Sequence, residues 1–330
     1  MAKKQKQSED GKQIGTFRVP AEQMSLWPDI SGNSINGLGE TEKRRPSHVY
    51  WWRPDSIAHG PLQDYFYKTN NSPVIKKAQE RRKKILETPF VPVASMKTNE
   101  APEDFTTLIK DEARRLSSDD VGITRLSRDW IFDDCDFDLP WIIMLAVAMD
   151  YEKMRQAPDY IAGAEVIDQY GRGNEIAIGL TNWIHDRGFE AKPLAGPMAG
   201  PVTLIPAAIA AGLGELGKHG SIIHPKLGSC FRLSAVATDM PLVGDSKIEF
   251  GADDFCTRCQ ACSNACPPDA IFAAKQTVRG IQKWYVDFDR CLPYFNETAG
   301  CAICLTACPW SRPGVADKLL VKLAKSRSGT

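Results

Sequence analysis

The sequence predicts an α+β or α/β body followed by a small cysteine-rich module. Three observations predict it. Apolar strand-like runs alternate with amphipathic helical runs between about residues 90 and 250. Eight of the ten cysteines fall between positions 256 and 308. The texture also changes near residue 251, to short spacings and paired prolines. These divide the chain into 1–90, an N-terminal arm and wrapping segment; 91–250, the body; 251–315, the cysteine module; and 316–330, a tail.

The elements follow in order. Residues 1–48 are polar with interspersed Gly, Ser and Pro, which predicts an extended or partly disordered arm. The irregular aromatic stretch 48–70 predicts a segment packed onto a larger body. "SPVIKKAQERRKKILETP" (72–89) predicts a helix capped by Ser72 and ended by Pro89, its basic run forming a solvated face. "FTTLIKDEARRLS" (105–117) predicts an amphipathic helix. "WIIMLAVAM" (141–149) predicts a buried strand, being far shorter than the roughly 20 residues that cross a bilayer. In 174–189, Ile176, Leu180, Trp183 and Ile184 share one helical face, and Gly188 predicts the stop. "VTLIPAAIAAGLGELGKHG" (202–220) is rich in small residues and allows close backbone approach to something flat or bulky. The tail predicts a short basic surface helix.

A 330-residue chain can bury a sizeable core. With 43% hydrophobic and 25% charged residues and zero formal charge, bulk electrostatics gives no support for nucleic-acid or membrane binding. The N-terminus carries no apolar segment of a secretory signal, and no hydrophobic stretch follows Arg44-Arg45, so the expected location is cytoplasmic. G-x-x-x-x-G-K-[ST] and D-x-H-x-x-G are absent, leaving sites for ATP and histidine-ligated cobalamin without support.

The cysteines carry the chemistry. Cys256, Cys259, Cys262 and Cys266, followed by Pro267, give C-x2-C-x2-C-x3-C-P, the bacterial ferredoxin pattern for a [4Fe-4S] cluster. Cys291, Cys301, Cys304 and Cys308, followed by Pro309, repeat it with x9 in the first gap. In that pattern the fourth cysteine ligates the other cluster. Cys256, Cys259, Cys262 and Cys308 therefore pair with cluster 1, and Cys266, Cys291, Cys301 and Cys304 with cluster 2. Zinc does not explain two C-x3-C-P endings, and disulfides do not suit the cytosol. Cys135 and Cys230 read as ordinary buried thiols.

The ordered set "GLGELGKHGSIIHPKLGSCFRL" (212–233), "TDMPL" (238–242), "FCTRCQACSNACPPDAI" and "CAICLTACPWSRPG" resembles the cobalamin-dependent reductive dehalogenases, over roughly residues 120–315. Epoxyqueuosine reductase, a tRNA-modifying relative, shares several of these pieces. The resemblance implies a nitroreductase-like cobalamin-binding domain followed by a ferredoxin-like domain with two [4Fe-4S] clusters. It implies base-off cobalamin, electrons passing through both clusters to Co(I), and removal of halide from a halogenated aromatic, with a halophenol as the leading class. The expected corrinoid contacts are Gly214, Gly217, Lys218, His219, Gly220 and His224, neither histidine being promoted to axial ligand. Tyr170, placed ahead of the 174–189 helix, matches the family's proton donor, and Arg232 its basic partner. On the residues alone, Tyr170 reads equally as a half-buried core tyrosine and Arg232 as a structural ion pair.

Respiratory members carry a twin-arginine signal and some catabolic members a fused flavin and ferredoxin reductase module; the expectation here is neither. The expectation is a short catabolic type with no membrane anchor and no nucleic-acid partner, fed by a separate ferredoxin or flavin reductase. Two further readings stay open: an epoxyqueuosine reductase, and a non-catalytic iron-sulfur electron carrier. For the long x9 gap, the expectation is that Tyr294, Phe295 and Asn296 reach the cobalamin and wall the substrate pocket.

Overall fold

A computed structural model describes residues 12–196 and 200–327; the first eleven residues of the predicted arm lie outside them. The body is built on a four-stranded, wholly antiparallel sheet of β1 (Asp120–Arg125), β2 (Trp141–Ala148), β3 (Ala191–Ala195) and β4 (Phe231–Thr238), in the order β1-β2-β4-β3. This is the α+β form of the expected fold. β2 is apolar at every position because both sheet faces are covered. Ile143, Leu145 and Val147 pack into one core cluster with Phe105, Ile109, Ile176 and Leu180, while Ile142, Met144 and Ala146 join a second with Ala207, Ala208 and Ala211.

Four helices precede or cover this sheet: α1 (Gly60–Thr69), α2 (Pro73–Leu86), α3 (Pro102–Arg115) and α4 (Tyr160–His185). Ser72 Oγ caps α2 by accepting from the Ile75 amide, as its sequence predicts. α4 begins fourteen residues before the predicted start, so Tyr170 lies inside it and not ahead of it. Its glycines conceal the helix in the sequence, since each costs roughly 1 kcal/mol in a helix interior. The structure shows what they allow: a Cβ at Gly173 would lie 3.1 Å from Ser234 Cβ on β4. Residues 204–210 form α5, and a hairpin pairing Glu215–Leu216 with Ile222–Ile223 leads back to β4.

The cysteine module contains α6 (Ala252–Arg258), α7 (Ala261–Asn264), α8 (Phe288–Glu297) and α9 (Ile303–Ala307), and α10 (Ala316–Arg327) follows. Buried Glu215 joins body and module by accepting the amides of Phe250, Ala252 and Asp253 at the start of α6. The described part of the arm is ordered, against expectation. Thr16 donates its amide to Pro267 O at 3.0 Å, Asn33 Nδ2 donates to Asp287 at 2.8 Å, and Gln23 Nε2 donates to Pro293 O at 3.1 Å. Its polar residues are the means of docking, which composition alone read as disorder.

Candidate functional site

A cavity of about 250 Å³ lies where α1, α2, α4, β4 and the segment after α8 meet. Tyr170 enters from α4 and Arg232 from β4, with the Arg232 guanidinium carbon 5.4 Å from the Tyr170 ring centroid. The cation thus lies over the ring. Arg232 Nε is buried without a hydrogen-bond partner, and among the described residues no carboxylate pairs with it. The opposite side of the Tyr170 ring is closed by Gly196, where a Cβ would come within 2.3 Å of Tyr170 Cε1. Only glycine lets the chain pass there.

Sequence reasoning missed a second cation. Arg82 on α2 lines the same cavity; its Nη2 donates to Gly196 O at 3.0 Å and its Nε is buried without a partner. Burial pulls its pKa down, opposed by nearby Tyr67 and Tyr170. Burial likewise pushes the Tyr67 phenol up, opposed by Arg82. The signal was present: Ile75, Ala78, Arg82 and Ile85 are spaced at i, i+3, i+7 and i+10, which puts Arg82 on the apolar stripe of an otherwise solvated helix. Among the described residues, no Asp or Glu lines the cavity. Trp51, Phe66 and Phe295 supply aromatic walls, and Ala162, Gly163, Ala299, Gly300 and Ala302 a small-residue wall.

Cys301 also lines the cavity. It lies in a run of four residues with positive φ, Ala299 (+48°), Gly300 (+98°), Cys301 (+55°) and Ala302 (+70°). Such backbone costs of order 1–3 kcal/mol per non-glycine residue and persists only when held. Asn70 Oδ1 holds it by accepting the Ala299 amide at 2.8 Å.

The cysteines of the module act on one another, and Cys304 feels Cys301, Cys291 and Cys266 and also Cys262. Cys308 feels the charges of Cys256, Cys262 and Cys259, and Cys291 those of Cys301 and Cys266. Burial pushes Cys256, Cys291 and Cys308 each up to about 12 and Cys301 to about 11, and Cys304 well above an ordinary thiol. Iron ligation is what would ionise them. All are free thiols, and among the described residues no three of the eight sulfurs lie within 4.8 Å of one another. Tetrahedral zinc, with Zn–S near 2.3 Å, needs sulfurs about 3.8 Å apart. The donor set therefore fits two cubanes and not zinc.

Of the other expected site residues, none of Gly214, Gly217, Lys218, His219, Gly220 and His224 borders the cavity. The glycines pack against protein: a Cβ at Gly214 would meet Ile223 O at 2.1 Å. His219 Nδ1 accepts the Ser221 amide at 3.2 Å and its Nε2 bonds Ser229 Oγ at 2.9 Å; burial pulls its pKa down to about 4. His224 Nε2 bonds Asp120 at 2.9 Å. Lys218 lies beside Cys256. Of the trio after Cys291, Phe295 alone lines the cavity; Tyr294 packs edge-on against Phe17, and Asn296 is fully buried. Cys230 is buried as expected, whereas Cys135 is only half-buried, beside Asp134.

Comparisons with known proteins bear on the fold and on the cysteine module. Residues 255–311 match the 4Fe-4S dicluster domain. The tetrachloroethene reductive dehalogenase of Sulfurospirillum multivorans is 28% identical over 261 residues, 65% of this chain and 52% of that protein. The catabolic reductive dehalogenase NpRdhA, solved with 3-bromo-4-hydroxybenzoic acid, superposes with a TM-score of 0.74 at 20% identity, over 93% of this chain and 51% of that one. The fold is that of the reductive dehalogenases. A second structure of the family, described as suggesting a mechanism for B12-dependent dehalogenation, gives a TM-score of 0.71 at 21% identity, over 93% and 49%. The chain thus spans about half the length of the reductive dehalogenases it matches. Among the described residues, no helix is long and apolar enough to cross a membrane.

Proposed function

We propose that the chain is a cobalamin-dependent reductive dehalogenase acting on an acidic halogenated aromatic, a halophenol being the leading class. The observation that carries this reading is the convergence of Tyr170, Arg232 and Arg82 with the cluster ligand Cys301 around one cavity. Replacing a carbon–halogen bond by carbon–hydrogen takes two electrons and one proton and releases halide. Cys301 brings cluster 2 to the cavity wall, and Tyr170 offers a phenolic proton there. Arg232 stabilises the phenolate left behind. With two arginines and, among the described residues, no carboxylate in its lining, the cavity favours a ring that carries negative charge. The aromatic walls suit the ring itself.

Cobalamin fits the lining on two observations. The small-residue wall is a cradle that larger side chains would fill, and the unpartnered Nε atoms of Arg82 and Arg232 are donors suited to corrin amides. When bound, a reduced cobalamin supplies the chemistry that breaks the carbon–halogen bond. Ligation of cluster 1 by Cys256, Cys259, Cys262 and Cys308, and of cluster 2 by Cys266, Cys291, Cys301 and Cys304, belongs to the same proposal. So does an external ferredoxin or flavin reductase as electron donor.

The test is anaerobic reconstitution with cobalamin, iron and sulfide, followed by halide release from 2,6-dibromophenol under a strong reductant. Tyr170→Phe should lower release at least about 100-fold while leaving corrinoid and iron content unchanged. Absence of corrinoid uptake overturns the reading, and activity surviving in Tyr170→Phe overturns the proton-donor role. An epoxyqueuosine reductase would show corrinoid uptake with no halide release.

A further inference from the structure

We propose that Lys218 is a fixed positive charge that raises the reduction potential of cluster 1 relative to cluster 2. This rests on the dicluster module and not on the substrate chemistry proposed above. Lys218 is 1% exposed, and its Nζ is buried with no hydrogen-bond partner. An ammonium removed from water without compensation costs several kcal/mol, so something must offset it. The Trp284 ring lies 5.0 Å from Nζ, a cation–π contact that offsets part of that cost. That does not suffice, and the ring is shared with Lys275 at 5.6 Å. The nearby carboxylate, Asp253, is already engaged by Lys275 Nζ and Trp284 Nε1, both at 2.6 Å.

The remaining anion is the cluster. The Lys218 amide donates to Cys256 Sγ at 3.5 Å, which places the residue against a ligand of cluster 1. A cubane held by four thiolates is net negative in both redox states and more negative when reduced. A buried cation beside it therefore stabilises the reduced form, and net charge and N–H···S bonds are established determinants of cluster potential. Lys218 does not act equally on cluster 2, whose ligands face other cations: Arg82 and Arg232 share the cavity lined by Cys301, and Arg290, which acts on Cys266, has a side chain 43% exposed and so is largely screened by water.

The experiment is an EPR-monitored redox titration of the reconstituted full chain, comparing wild type with Lys218→Met, Lys218→Gln and Lys218→Arg. Both neutral variants should shift cluster 1 to a more negative potential with cluster 2 unmoved, and Lys218→Arg should stay near wild type. An unchanged cluster 1 potential in the neutral variants overturns the proposal, as does an equal shift of both clusters. Loss of cluster 1 from both neutral variants but not from Lys218→Arg supports the same charge pairing, expressed in assembly. Loss from Lys218→Arg as well assigns Lys218 to packing and overturns it.

Discussion

Replacing Asn296 by leucine should loosen the arm and leave substrate recognition intact. Asn296 Nδ2 donates to Gln23 Oε1 at 3.1 Å, and its Oδ1 accepts from Tyr50 Oη at 2.6 Å. Its backbone carbonyl accepts from Asn70 Nδ2 at 2.6 Å, a bond the substitution keeps. Asn296 and Gln23 are both fully buried, and Tyr50 is 4% exposed. Leucine preserves most of the volume, so the cost is that of stranding two buried polar groups. Tyr50 Oη keeps a long bond to Leu62 O at 3.4 Å, so at about 1–3 kcal/mol for the stranded Gln23 Oε1 and less for the hydroxyl the loss is about 2–5 kcal/mol at most. For a chain of this size that corresponds to roughly 4–10 °C in melting temperature. The assay is thermal melting of reconstituted protein at one fixed scan rate, with KM for a halophenol measured alongside. In a double-mutant cycle, Tyr50→Phe with Asn296→Leu should cost less than the two single changes added together. A raised KM with unchanged melting would refute this reasoning and restore Asn296 to the substrate pocket.

Two further outcomes follow from the geometry. Cys308→Ala should abolish the EPR signal of cluster 1 and spare cluster 2, and Cys266→Ala the reverse, each removing about half of the bound iron; loss of the cluster nearest in sequence would refute the crossed assignment. His219, pulled down to about 4 from about 6.5 in the unfolded chain, stays neutral in the folded state while the unfolded chain takes up a proton as pH falls. Its contribution is present above pH 6.5 and is lost towards pH 4, which predicts about 1.4 kcal/mol less stability at pH 5.5 than at pH 8. The difference should vanish in His219→Gln, and its persistence there would assign the loss to other groups.

The sequence disclosed what depends on spacing. The cysteine pattern was legible because ligand spacing is rigid chemistry, and β2 was legible because burial on both faces leaves no polar position. α4 was legible only in its second half, where Ile176, Leu180 and Ile184 keep the helical period. Its first half is punctuated by glycines whose purpose is contact with neighbours far away in sequence. The site was legible where the family resemblance supplied it, at Tyr170 and Arg232, and opaque at Arg82 and Tyr67. Those belong to helices outside the resembling region: Arg82 reaches the cavity because α2 packs along α4, with Arg81 paired to Asp168 at 2.6 Å, and Tyr67 because α1 docks on α8, with Phe66 stacked on Phe295. The small-residue stretch 202–220 is ambiguous because backbone crowding reads the same whether the neighbour is a ligand or, as at Gly214, another strand.

The long gap between Cys291 and Cys301 acquires a physical reason from these contacts. The gap is mostly helix: Cys291 lies inside α8, which runs to Glu297, and the positive-φ run then returns the chain to Cys301. One end of α8 holds the arm, as Asp289 accepts the Gly32 amide at 2.8 Å. The other end holds Gln23, Tyr50 and Asn70 through Asn296, while Glu297 accepts from Tyr65 Oη at 2.7 Å. Tyr65 and Asn70 belong to, or cap, α1, which also carries Phe66 and Tyr67; Phe295 stacks on Phe66 with ring centroids 5.4 Å apart. A shorter ferredoxin-type gap would still bind iron but would leave α1 and the aromatic wall with nothing to dock against. The extra residues between two cluster ligands thus fix the position of the cavity's outer wall relative to the cluster that borders it.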